Sequence, residues 1–285
     1  SFWRGYVEFD DLPQVVNPQS GFIQNCNSTP FLASIGNDNP DGSYYLKNLG
    51  IEMFQTNRAL RAHETFGTDK SITREEFYRY KFDTKYSKKS VMGVNLKRFL
   101  AEASSEDLDV IKALEMLKGW DLDTDSTSTV PHLAISAIRP SFNPNDYIYN
   151  YGEIMARLEK IISETQEKFG KLNVKWGEIL RLRRGDTDLA LSGGPDILRA
   201  IYSKEKDGIR VGRAGDCYFE IVEWDTEGNV SAQSIHQFGS ATNDTNSIHY
   251  DDQAKLFANH QMKPVWMNLE DIKLNLQKTY RPGKE

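Results

Sequence analysis

Apolar and polar positions have the clearest regular spacing in the middle of the chain. Between Tyr151 and Phe169, apolar side chains recur three or four positions apart, which predicts an amphipathic helix that Gly170 is suited to end. Thr73, followed three residues later by Glu76, predicts a capping box at the start of a helix over 74–82.

Two shorter segments have the same helical period. One is 57–66, and the other follows Ser105, with acidic residues in its first turn and Lys118 in its last, as suits the helix dipole. The segments 34–48 and 121–129 are rich in Gly, Asn, Asp, Ser and Thr and are predicted to be loops.

Both ends of the chain favour strands. Residues 1–31 are rich in β-forming side chains punctuated by prolines, and strands over 216–224 and 230–235 flank a glycine-containing hairpin loop. This order predicts an α+β fold rather than a repeated βαβ unit. We expect the chain to divide into sheet strands and a loop (1–54), a mainly helical segment (55–215), and strands with a closing segment (216–285).

Composition excludes several classes of protein. The 285 residues are enough for one large domain or two small ones, and 11% aromatic residues are typical of a folded chain. The formal charge of -6 argues against a dedicated nucleic-acid binder, and no apolar run is long enough to span a membrane. Residues 1–20 lack a signal-peptide pattern. Cys26 and Cys217 are too few for a disulfide framework or a four-cysteine zinc site, but they could pair with each other.

Ser1 and His249 are residue types found in catalytic sites, but their sequence surroundings do not support a catalytic role. Ser1 could act as an N-terminal nucleophile with its own amine as base, but the next residues offer no helper group, so we favour no chemical role. His249 lies close to Asp251 and Asp252, yet adjacent residues on an extended segment point apart, so we expect a structural histidine.

Two further motifs fail as binding sites. Asp121, Asp123 and Asp125 resemble the opening of a calcium loop, but the later glycine and glutamate positions do not match, so a solvated loop is expected. The segment 192–195 contains Gly-Gly before a predicted short helix, but it lacks the Lys-Ser/Thr pair of a P-loop. We expect a tight turn there.

The segment 13–30 is the strongest candidate for chemistry. It delivers Asn25 and Asn27, two positions apart, to one face at the end of a predicted strand. A side-chain amide held there can donate a hydrogen bond to a developing oxyanion. An Asx-type turn is the alternative, and the residues alone leave the two open.

The same segment carries a family resemblance, since it reads Pro-x-x-Val-Asn-Pro-x-Ser-Gly-Phe-Ile-x-Asn-x-Asn-x-x-Pro. It resembles the motif of the penicillin acylase family of N-terminal-nucleophile hydrolases. Further similar motifs follow in the same order, at 58–61, 117–121, 181–186 with 193–196, and 236–240 through 247–253. The third of these resembles the branch that contains acyl-homoserine-lactone and aculeacin acylases.

The resemblance implies part of an αββα four-layer sandwich, with strands in 1–31 and 216–239, and an acylase activity. It assigns Asn27 as an oxyanion-hole donor, and Arg58 as the arginine that holds this donor and tunes the nucleophilic amine. Arg61 competes with Arg58 for that match. The nucleophilic serine of the family begins a β chain, whereas Ser1 matches an interior position, so we expect this chain to be the C-terminal part of a β chain and inactive alone.

The resemblance also implies partners and a setting. The expected partners are the upstream part of the β chain, the α chain of the same precursor, and a small N-acylated substrate such as an acyl-homoserine lactone, lipopeptide or β-lactam. The chemistry needs no cofactor, although a structural calcium could bind with ligands from the upstream part near Asp38 and Asp41. A signal peptide is expected upstream, with export to the periplasm or beyond. The alternatives are a non-catalytic binding or scaffolding remnant and an autonomous hydrolase that uses Ser1.

Overall fold

A computed structural model of the chain describes residues 5–45, 49–141, 143–281 and 283. Its residues cluster into two compact units. Unit 1 contains the chain up to Arg181 and Ala190–Gly215, and unit 2 contains Leu182–Leu189 and the chain from Asp216 onward. The chain therefore leaves unit 1 once, for eight residues, before its final departure.

The helices of unit 1 include the four predicted from spacing. In order they are α1 (Asn57–Glu64), α2 (Arg74–Lys81), α3 (Val91–Glu102), α4 (Leu108–Lys118), α5 (Pro131–Ile138), α6 (Tyr151–Phe169) and α7 (Trp176–Ile179). The bounds of α6 match the prediction, and Gly170 ends it in the left-handed conformation at φ +66°. The capping box of α2 also forms, because Thr73 and Glu76 each accept the other's backbone amide hydrogen.

Helix α5 was not predicted, and it lies at the centre of unit 1. Its side chains are buried almost all round, so the sequence shows no polar face and no amphipathic period. It packs on α6, and α3, α4 and α7 also contact it. The core of unit 1 is therefore built around this short helix.

The segment 55–215, which was expected to be mainly helical, contains α1 to α7 and also four short strands that were not predicted. Strands β1 (Leu180–Arg184), β2 (Thr187–Ala190), β3 (Ile201–Lys206) and β4 (Ile209–Gly215) form one sheet in the order β2-β1-β4-β3. β4 pairs antiparallel with β3 and parallel with the start of β1. The strands are short and charged, and β1 alternates leucines with arginines, so their apolar signal is weak.

The N-terminal segment differs from the prediction. The described residues 5–31 contain no strand, and they form single turns of 3₁₀-helix at Phe9–Asp11 and, beginning at its end, Pro30–Leu32. A strand needs a continuous hydrogen-bonded neighbour, and this segment has only separate backbone bonds, such as those from Gln24 N to Ala33 O and from Thr29 N to Phe54 O. Phe2 and Trp3, which contributed to the prediction, lie outside the described residues.

Unit 2 contains a small antiparallel sheet. Its strands are β5 (Tyr218–Trp224), β6 (Val230–His236) and β7 (Lys263–Pro264), in the order β5-β6-β7, and the predicted hairpin joins the first two. Helices α8 (Ala254–Ala258) and α9 (Leu269–Leu274) follow along the chain. Phe257 of α8 and Ile235 of β6 are fully buried and anchor this unit.

Helices and two sheets in one chain confirm the α+β class. Across the described residues, no helix has the combination of length and apolar content needed to cross a bilayer.

Candidate active site

Asn27 lies in a turn whose backbone suits its residue type. Its φ of +53° falls in the left-handed region, which Asn tolerates better than most residues. Asn27 N donates to Asn25 Oδ1 at 3.1 Å, so Asn25 holds the turn from within, as in an Asx turn. The two asparagines therefore have different roles in the structure, although the sequence offered them as equal candidates.

Thr56 joins this turn to α1. Its buried hydroxyl accepts from Ala59 N at 3.1 Å as the helix cap and donates to Cys26 O at 2.9 Å. One side chain thus fixes the start of α1 against the residue that precedes Asn27. Arg58, in the first turn of α1, is carried to the same place.

Arg58 donates two hydrogen bonds to the side chain of Asn27. Its two terminal nitrogens both donate to Asn27 Oδ1, each at 3.2 Å. Because a guanidinium can only donate, this contact fixes which end of the amide is oxygen. The Nδ2 end is left as a donor, and no described residue accepts a hydrogen bond from it.

Asp196 holds Arg58 from the other side. Its Oδ1 accepts from Arg58 Nε at 3.1 Å, and its Oδ2 accepts from Asn57 N at 2.7 Å. The side chain of Asn57 adds a bond from Nδ2 to Asp196 O at 2.8 Å and accepts from Ser87 N at 2.7 Å. We refer to Asn27, Arg58 and Asp196 as the Asn27 cluster.

The turn at 192–196 places Asp196 beside Arg58. Gly193 has φ +94°, and a Cβ there would lie 2.2 Å from Arg199 O, so only glycine fits. Asp196 itself is left-handed at φ +57°. The tight turn was predicted, but the short helix expected after it does not form over 196–199. Sequence reasoning missed the role of Asp196, although its place beside the glycines and within the family-like motif at 193–196 was a signal.

Burial shapes the electrostatics of the cluster. Desolvation raises the pKa of Asp196 to about 6, although hydrogen bonds from Asn57 and Arg58 and the charge of Arg58 oppose the rise. The carboxylate is ionised at neutral pH and takes up a proton in mild acid. Burial also raises the pKa of the Cys26 thiol, against the charge of Arg58, which keeps it protonated and a poor nucleophile.

Arg61 belongs to a separate ion-pair group. Its Nε and Nη2 donate to the two carboxylate oxygens of Asp83 at 2.9 and 2.7 Å, and its Nη1 donates to Glu64 at 2.8 Å. These bonds raise the pKa of Arg61 further. Between the two candidate arginines, the one that contacts Asn27 is Arg58.

The loop considered for calcium already has its carboxylates engaged. Asp38 accepts from the backbone amides of Gln19 and Ser20 at 3.1 and 2.8 Å, and Asp41 accepts from Ser43 N at 2.9 Å. These bonds lower the pKa of both carboxyl groups. Within the described residues, no group of three or more His, Cys, Asp or Glu side chains could hold a metal ion. The described residues therefore do not supply a complete calcium site.

Two other candidates from the sequence, the aspartate loop at 121–125 and His249, have structural roles. Asp121, Asp123 and Asp125 accept backbone amides two residues further on, and Lys85 forms an ion pair with Asp121 at 2.8 Å. His249 Nδ1 contacts Asp252 Oδ2 at 2.9 Å, so the expectation that these side chains point apart is wrong, because a turn rather than an extended segment carries them.

The remaining candidates concern the cysteines and Ser1. Cys26 and Cys217 are both free thiols. Ser1 lies outside the described residues.

Comparison with known proteins gives the family. A family profile described as penicillin amidase matches residues 1–274. Among solved structures, the chain is similar to a thermostable penicillin G acylase from Alcaligenes faecalis in an orthorhombic form, with 15% identity and a TM-score of 0.53. That match covers 100% of this chain and 60% of the other. At this identity the likeness shows a shared fold.

Proposed function

The chain belongs to the penicillin amidase family, and on that premise we propose that it takes part in hydrolysing the amide bond of an N-acylated small molecule. The proposal rests on the two hydrogen bonds, each 3.2 Å long, that Arg58 donates to Asn27 Oδ1. A donor whose orientation is fixed before reaction is what an oxyanion hole requires.

In the proposed reaction, a serine attacks the acyl carbonyl and Asn27 Nδ2 donates to the oxyanion that develops. The tetrahedral intermediate collapses as the C–N bond breaks, and the amine leaves with the proton taken from the serine hydroxyl. Water then attacks the acyl-enzyme, which releases the acid and returns a proton to the serine. Arg58 keeps Oδ1 away from the oxyanion, since a carbonyl oxygen in that place would repel it. Its positive charge also lowers the pKa of a nearby amine, which helps that amine to act as the base.

The proposal assigns the nucleophile to a serine outside residues 1–285, as the family resemblance implies. Two nucleophile-type side chains flank Asn27 in sequence, and neither is activated. The Cys26 thiol has a raised pKa, and Ser28 Oγ accepts from the amide of Gln24 at 3.4 Å rather than contacting a base. The proposed partners are the upstream part of the β chain and the α chain, and the proposed setting is the periplasm or outside the cell.

The proposed substrates are acyl-homoserine lactones, lipopeptides and β-lactams. The test is release of free amine from one member of each class by the protein expressed from its complete reading frame. We expect Asn27→Ala to lower kcat by ~10²–10³, the usual loss for one oxyanion donor. Asn25→Ala is the matched control, because the Asn25 side chain accepts a hydrogen bond from the backbone of Asn27 and is not the proposed oxyanion donor. We expect this variant to lower kcat less than about tenfold.

Other outcomes separate the alternatives. Equal losses in the two asparagine variants would remove the oxyanion role from Asn27. Activity that disappears in Ser1→Ala would restore the autonomous Ser1 hydrolase. No hydrolysis of any substrate class would favour the scaffolding remnant.

A further inference from the structure

A second feature of unit 1 concerns a cavity of about 440 Å³ lined by α5, α6, α7 and the β3–β4 hairpin. We refer to it as the His132 cavity. Ile161, Phe169 and Ile179 give it apolar walls. Its volume lies in the range of small-molecule sites.

His132 is buried in this cavity without a partner. Its side chain is 1% exposed, and neither ring nitrogen has a hydrogen-bond partner among the described residues. Burial and the charge of Arg210 lower the pKa of His132 to about 4, so the ring is neutral at physiological pH. A neutral imidazole has one donor and one acceptor, and buried groups of this kind are nearly always paired.

Arg210 lines the same cavity from β4. Its Nη2 donates to Ser136 Oγ at 2.8 Å, and within the described part of the chain no carboxylate lies within ion-pairing distance of it. Burial lowers the pKa of Arg210 and the nearby Arg139 adds to this effect, whereas the charges of Glu205 and Glu164 oppose it. The guanidinium stays charged and keeps donors free for a planar anion.

Carboxylates lie at the mouth of the cavity rather than within it. Glu164, Glu167, Glu205 and Asp207 are all exposed, and Glu164 pairs with Lys160 at 3.5 Å. Water and salt screen exposed charges far more than buried ones. The rim therefore weakly opposes an anion that Arg210 and His132 would bind inside.

We propose that the His132 cavity binds a small organic carboxylate with an apolar body. The carboxylate would accept from Arg210 and from the N–H of His132, and the apolar body would lie against Ile161, Phe169 and Ile179. This set of groups satisfies the free donors of Arg210, one of the two unpartnered ring nitrogens and the apolar walls together.

The test is calorimetric titration of the full-length protein at pH 7 with octanoate, benzoate, octylamine and inorganic phosphate. We expect octanoate or benzoate to bind with a Kd on the order of 1 mM or tighter, as suits ligands of this size. Octylamine and phosphate should bind at least tenfold more weakly. Equal binding of octylamine would assign recognition to the acidic rim and overturn the proposal, and so would equal binding of phosphate or no binding of either carboxylate.

Two variants on one strand locate the site. Arg210→Gln should weaken octanoate binding at least tenfold, whereas Arg213→Gln should change it less than twofold. Arg213 is the matched control because it is exposed, lies three residues further along β4 and does not line the cavity. Equal effects of the two variants would contradict a site at Arg210.

A measurement on the unsubstituted protein guards against misfolding of Arg210→Gln. The ring nitrogen signals of the five histidines are followed by NMR during octanoate addition. The His132 signals should move at saturating octanoate, while those of His63, His236, His249 and His260 stay in place. Unchanged His132 signals under binding would place the ligand elsewhere and overturn the proposal.

Discussion

Asp196 and His132 are both buried, titratable side chains of unit 1, but they differ in their hydrogen-bond partners. Each carboxylate oxygen of Asp196 accepts a hydrogen bond, from Arg58 and from Asn57. Neither ring nitrogen of His132 is bonded to a described residue. The chain itself completes the Asn27 cluster and so orients a donor, whereas the His132 cavity keeps hydrogen-bonding capacity for something that binds. A buried polar group that is fully hydrogen-bonded within the chain thus indicates a role in positioning another side chain. A buried polar group without a partner indicates a place where a ligand can bind.

The largest expected effect on stability comes from removing a hydrogen-bonding partner of Asp196. Asn57→Ala leaves Asp196 O, Lys85 O and Ser87 N without their side-chain partner in a buried place. We expect a loss of about 3 kcal/mol in the free energy of unfolding, since each unsatisfied buried group costs about 1–3 kcal/mol. Urea unfolding measures it. Asn95→Ala, which removes one bond to Val91 O on α3, should cost less than about 1 kcal/mol, and equal losses would contradict the prediction.

The next effect is the pH dependence that Asp196 gives to stability. Its folded pKa of about 6 lies above the ordinary value of about 3.9, so its contribution is present in full below about pH 4 and is lost as pH rises through 6. The unfolding free energy of the protein relative to Asp196→Asn should therefore fall by on the order of 2 kcal/mol between pH 4 and 7. A constant difference over that range would show that Asp196 titrates normally.

His132 should give the opposite slope. Its folded pKa of about 4 lies below the ordinary value of about 6.5, so its contribution is present above pH 6.5 and is lost as pH falls through 4. Relative to His132→Phe, the protein should therefore lose stability between pH 6.5 and 4. Parallel urea titrations of the two variants test whether the slopes differ in sign, and slopes of the same sign would remove the contrast between the two residues.

The smallest effect is at neutral pH, where His132→Phe should stabilise the protein by about 1 kcal/mol. The substitution removes two unpartnered buried nitrogens and retains a ring of similar size beside a cavity that can accept it. Thermal unfolding measures this gain. A clear loss of stability would mean that His132 is already satisfied.

The sequence predicted those elements whose pattern involves residues close together in the chain. Helix α6 and the capping box of Thr73 depend on residues three or four apart, and both formed as predicted. The approach of Arg58 to Asn27 was implied by the family resemblance rather than by any spacing. Asp196 lies 138 residues from Arg58 along the chain, so no periodic pattern could join them. The strands between 180 and 215 were missed because their buried positions are few and charges interrupt them.

The hydroxyl of Thr56 has a mechanical consequence. It bonds at once to the turn before Asn27 and to the first turn of α1. A thermal fluctuation that displaces the turn therefore carries Arg58 along with it, and the distance between Asn27 and its holder changes less than either position does. We therefore expect the site to move as one body without losing its internal alignment, and the buried hydroxyl of Thr56 to contribute to that rigidity.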